Sequence, residues 1–125
     1  VLRILRFFRF HALYGSGEPD SAALAACREQ AHKIPELSRE RISQEFFRIL
    51  AVDNFVDTLG VLFNNRILPS FAFDGYRPET VDDMKSITLA QRLFIVAGLS
   101  VDNVRVMEKL LVIPKALWRE VEVLD

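Results

Sequence analysis

Apolar residues recur along this chain with the period of a helix. At 100° per residue, Val1, Ile4, Leu5, Phe8, His11 and Ala12 fall on one face of the opening segment VLRILRFFRFHA. Arg3, Arg6 and Arg9 lie on the opposite side, with Phe7 and Phe10 flanking them as packing residues. Gly15-Ser16-Gly17-Glu18-Pro19 breaks this helix. Asp20 or Ser21 then caps a second, alanine-rich helix, which runs to about Lys33 before Pro35 stops it. Ser38 caps a third in LSRERISQEFFRIL, where Ile42, Phe46, Ile49 and Leu50 form the inward stripe and Arg41 pairs with Glu45 at i,i+4. Asp53 opens a short fourth helix that ends near Gly60 as its C′ residue, and VLFNNRILP adds a turn or two up to Pro69.

Phe71 to Pro78 predicts a loop, with Asp74-Gly75 at its turn. From Pro78 and Glu79 a longer helix extends through about Ala97, and Gly98 ends it. Ser100 caps the next, SVDNVRVMEKLLVI, in which Val101, Val104, Met107, Leu110 and Leu111 face inward, and Pro114 suits the first turn of a last helix. Phe94-Ile95-Val96 has strand propensity but no alternating partner segment. The expected fold class is therefore all-α, a compact multi-helix domain.

Composition narrows the functions on offer. The 125 residues are 50% hydrophobic and 26% charged with a formal net charge of −1, which fits one globular domain and excludes a polycation. Any affinity for nucleic acid must come from a local patch. Cys27 is the single cysteine, expected to be a small buried apolar residue, and no Cys/His cluster suits zinc, so a reducing, cytoplasmic setting is expected. No apolar run approaches the roughly 20 residues that span a bilayer, and arginines interrupt the start too early for a signal peptide. No membrane partner is expected. His11 reads as a satisfied core histidine, His32 as surface, and Asp82-Asp83 as a helix N-terminal pair.

Arginines three apart set three permanently charged, planar donor groups along one stripe, each able to pair with a base edge or a phosphate. The same spacing also describes the solvated face of an amphipathic helix. What separates the two is a resemblance. Val1 to Phe10 resembles the nucleotide-selecting helix of the bacterial class II tRNA nucleotidyltransferases, the CCA-adding enzymes and their poly(A) polymerase relatives. It matches their pattern E-D-x-x-R-x-x-R-x-x-R-F after the opening Glu-Asp. Ser38-Arg39-Glu40-Arg41-Ile42-Ser43-Gln44-Glu45 is similar to the later motif S-x-E-R-I-x-x-E. Leu59-Gly60-Val61-Leu62 with Ile67-Leu68-Pro69 is similar to the G-V-L…L-P segment. The likeness is strong over about residues 1–70 and thin beyond.

The resemblance implies the neck and body of such an enzyme, with Glu-Asp and a catalytic α/β head lying before Val1. It implies a nucleotide-binding set, in which Arg3 reads the Watson–Crick edge of CTP or ATP and Arg6 and Arg9 add further contacts. It implies that Glu40, Arg41 and Glu45 brace that helix rather than touch substrate. Residues 1–70 would form the neck, an RNA- and nucleotide-binding helical region, and 71–125 the helical body, together one structural domain. The implied partners are the tRNA 3′ end, CTP and ATP, and the catalytic head. Mg²⁺ would be bound by the head, not here, because the chain carries neither a D-x-D pair nor a glycine-rich phosphate cradle. With no catalytic and no metal-binding residue assigned, the polypeptide by itself is expected to be inert. Two alternatives stay open: a fragment of a poly(A) polymerase of the same family, and a non-catalytic helical module that binds RNA or protein.

Overall fold

Short polar side chains start four of the helices by accepting a backbone N–H that the first turn leaves unpaired. Asp20 accepts from Ala23, Ser38 from Arg41, Thr88 from Gln91 and Ser100 from Asn103. The computed structural model describes residues 2–14, 19–52, 55–67 and 88–124, and among these the chain is all-helical, as expected. The helices are α1 (Leu2–Tyr14), α2 (Ser21–Gln30), α3 (Arg39–Leu50), α4 (Phe55–Asn64), α5 (Leu89–Val96), α6 (Val101–Met107) and α7 (Lys115–Leu124), with a 3₁₀ turn at Ala31–Glu36.

Several boundaries differ from the sequence expectation, each for a local reason. α2 stops at Gln30, and the chain tightens into the 3₁₀ turn with Pro35 inside it, so the proline closes the turn rather than a long helix. α4 runs straight through Gly60, because Leu59, Val61 and Leu62 are buried on either side and outweigh the roughly 1 kcal/mol that a helical glycine costs. Its end is a Schellman closure built on Arg66 at φ 52°, with Ile67 N–H reaching Leu62 C=O and Arg66 N–H reaching Phe63 C=O. α5 begins afresh at the Thr88 capping box instead of continuing a longer helix, and closes on Gly98 (φ 73°) as expected. α6 ends at Met107, and Pro114 sits just before α7, its carbonyl taking the Trp118 N–H. The expected break at Gly15-Ser16-Gly17-Glu18, the Asp53 cap, the Pro69 stop, the Phe71–Pro78 loop, the helix start at Pro78-Glu79 and the Asp82-Asp83 pair lie outside the described residues.

The apolar stripes meet in one cluster that draws on every helix. Phe8 of α1, Ile42 and Leu50 of α3, Leu62 of α4, Leu93 of α5, Val104 of α6 and Val121 of α7 are all within 1% of complete burial. α3 packs on α1, α4 and α5, while α5 packs on α7. Polar staples fix these layers. Ser43 Oγ donates to Arg39 C=O at 2.7 Å and accepts from Val112 N–H at 2.6 Å, and Arg39 Nη2 donates to Leu111 C=O at 2.9 Å. Arg92 is buried; its Nη1 donates to Leu50 C=O at 2.8 Å and Val52 C=O at 3.1 Å, with its guanidinium 4.8 Å from the Phe55 ring centre.

Candidate functional site

Within its described residues α1 sorts its side chains as its sequence predicts; Val1, expected on the same buried face, lies outside them. Ile4, Leu5, Phe8, His11 and Ala12 are buried, chiefly against α3 and α4, and His11 Nδ1 shares a 2.8 Å hydrogen bond with Thr58 Oγ1. The three arginines on the other side then separate into two environments. Arg9 Nη1 lies 3.2 Å from Glu45 Oε1, to which it donates, and 3.0 Å from Oε2. Arg6 Nε is 3.8 Å and Arg48 Nη1 3.9 Å from the same Oε1. Glu45 Oε2 is buried beside the Arg9 charge without an aligned hydrogen bond of its own. One carboxylate with a 6% exposed side chain thus holds three guanidiniums, two of them from α1.

Of the three expected braces, Glu45 is the one that reaches α1. Glu40 and Arg41 are exposed, and Arg41 contributes its backbone N–H to Ser38 Oγ. The expected Arg41–Glu45 pair does not form. Glu45 turns instead into the α1–α3 interface, where reduced hydration strengthens its attraction to Arg9 above anything a solvated i,i+4 pair supplies.

Arg3 stands apart from this cluster. It is exposed and has no hydrogen bond or ion pair among the described residues. It lines a cleft of about 580 Å³ together with Ile4 and Phe7 of α1 and Ala23, Ala26, Cys27 and Gln30 of α2. The small side chains of Ala23 and Ala26 leave this room opposite α1. Such a volume, mostly apolar with a few polar groups, suits a planar ring with polar edges. Phe7 is also a wall of a second hollow of about 180 Å³, lined by Phe10, His11, Tyr14, Pro19 and Asp20.

Burial pushes the Cys27 thiol above its ordinary pKa, so beside the cleft it is an apolar lining group rather than a nucleophile. Among the described residues, no group of three or more His, Cys, Asp or Glu side chains is placed to hold a metal ion. No helix among them is long and apolar enough to cross a membrane.

Sequence reasoning missed one feature of the site. Phe10 is 63% exposed rather than packed, and Tyr14, also outside the core, is 74% exposed. A signal was present: positions 3, 7, 10 and 14 follow one another on a single helical stripe.

Arg3 thus sets one guanidinium at the rim of a largely apolar cleft, where it can pair with a base edge or a phosphate. Residues 18–84 match the family model described as the probable RNA and SrmB-binding site of polymerase A. That span is more than half of the 125 residues, and the chain belongs to this family. The match takes in α2, α3 and α4 and starts after α1. No curated protein and no solved structure matches the chain.

Proposed function

We propose that this chain is the helical, RNA-binding part of a template-independent RNA nucleotidyltransferase that adds C and A to tRNA 3′ ends, and that Arg3 is its base-reading group. One observation carries the reading: Arg3 is the α1 arginine without a partner among the described residues, at the rim of the 580 Å³ cleft, while Glu45 holds Arg9 and Arg6. A guanidinium fixed on a braced helix offers two parallel donors to a base edge, and one good bidentate pair discriminates bases by about 1–3 kcal/mol. Arg9, closest to Glu45, sets the helix in place. Arg6, with its side chain 59% exposed, remains open to a phosphate. In this reading the Mg²⁺-binding carboxylates belong to a separate head, and the cleft supplies selection rather than bond-making.

The family description names polymerase A, which supports the poly(A)-adding branch equally well. Incorporation by the enzyme that carries this region separates the two, since one adds C then A and the other adds A alone. The same assay tests Arg3. Arg3→Ala should erode selection between CTP and ATP by about 5- to 150-fold, the equivalent of 1–3 kcal/mol, with affinity for tRNA nearly unchanged. A variant that binds every RNA more weakly yet chooses its nucleotide as before would refute the assignment in favour of a non-catalytic binding module.

A further inference from the structure

α1 keeps two large rings in water. Phe10 and Tyr14 are 63% and 74% exposed, and their ring centres lie 4.8 Å apart with planes tilted by 53°. Rings of this size in the core carry much of a fold's burial energy, and here they add little to it. They are also not scattered. Arg3, Phe7, Phe10 and Tyr14 stand at i, i+4, i+7 and i+11, one stripe about 16 Å long at 1.5 Å per residue. At the roughly 3.4 Å step of a stacked strand, that length accommodates several nucleotides. Phe7 is half-buried and forms a wall of both hollows, so the stripe is continuous along the α1–α2 side.

Charge decides what the stripe fits. Arg3 and the exposed side of Arg6 border it at one end. At the other end Asp20 caps α2 through the Ala23 N–H and keeps its negative charge, so the phosphate contact falls toward Arg6 and Arg3. An apolar protein segment laid here would cover two guanidiniums without answering their charge. A phosphodiester chain answers it, and its bases supply flat faces for the rings. We infer that the Phe10–Tyr14 pair is a stacking platform for unpaired bases of single-stranded RNA, with Arg6 facing the adjoining phosphate. The inference rests on the RNA-binding reading above and adds to it the ligand class and the residues that grip it.

The test is fluorescence anisotropy of the full chain with a labelled single-stranded hexaribonucleotide, set against a blunt RNA duplex. The single strand should bind more tightly. Phe10→Ala and Tyr14→Ala should each weaken single-strand binding by about 5- to 100-fold and leave duplex binding nearly unchanged. Phe10→Tyr should retain affinity, whereas Phe10→Leu, which keeps bulk but lacks a π face, should lose it. The Leu variant also answers any loss of fold in the alanine variants. If the parent binds the strand and the Phe10→Ala/Tyr14→Ala double variant binds within twofold of it, the RNA-binding reading stands while the platform fails. Equal affinity of Phe10→Leu and parent overturns it too. If the parent binds neither RNA, the platform fails together with the RNA-binding reading.

Discussion

Replacing Glu45 tests the brace that holds the arginine helix to the rest of the domain. Its carboxylate accepts one aligned, charge-assisted hydrogen bond from Arg9, worth about 1.5–3 kcal/mol in stability. The contacts with Arg6 and Arg48, at 3.8 and 3.9 Å from guanidinium side chains 59% and 60% exposed, are each worth about 0–1 kcal/mol. Glu45→Ala also removes buried stem, at about 0.8 kcal/mol per methylene. Against these losses stands the relief of desolvating a carboxylate whose Oε2 lacks an aligned donor, which lowers the net cost. The arginines left behind retain a path to water, because Arg9's side chain is 27% exposed, so the full penalty of an orphaned buried charge does not apply. The balance is about 3 kcal/mol for Glu45→Ala. It is about 1–2 kcal/mol for Glu45→Gln, which keeps the stem and an acceptor. In a chain of this size the alanine variant should melt about 10 °C lower by far-UV circular dichroism. A double-mutant cycle with Arg9→Ala should return a coupling of about 1.5 kcal/mol. The reasoning is refuted if Glu45→Ala melts within about 2 °C of the parent and the cycle is additive to within about 0.5 kcal/mol.

Three further outcomes follow from two buried groups. Arg92→Ala should cost about 2–4 kcal/mol in a urea titration, because the Leu50 and Val52 carbonyls lose their shared donor and Phe55 loses the cation over its ring; an effect below about 1 kcal/mol would show that water replaces the guanidinium there. Cys27 should react with iodoacetamide much more slowly in the folded chain than in urea at pH 8. Its raised thiol pKa favours the folded state only while the thiol is protonated, so that contribution is intact below the unfolded thiol's pKa and lost as pH rises through the folded value; comparison with Cys27→Ala across alkaline pH reads it directly.

Local chemistry was enough to fix much of this protein. The 3.6-residue period placed Ile4, Leu5 and Phe8 inside and the arginines outside, because burial follows helix angle once a helix forms. Ser38 and Ser100 marked their helix starts because capping is decided within one turn. The spacing of Arg3, Arg6 and Arg9 put three guanidiniums on one side of α1. Period and caps are properties of neighbours in sequence, so sequence reveals them. What only the tertiary structure decided is how those arginines divide. Glu45 is 36 residues from Arg9 along the chain, and the packing of α3 on α1 brings its carboxylate to Arg9 and Arg6 rather than to nearby Arg41. The same packing, with α2 set opposite, opens the cleft at Arg3 and leaves Phe10 and Tyr14 in water. Gly60 shows the converse, a residue with the local mark of a helix end held mid-helix by the burial of Leu59, Val61 and Leu62. Partnership across the core depends on distances that no local pattern encodes, and in this chain those distances separate the arginines that hold a helix from the one that faces a cleft.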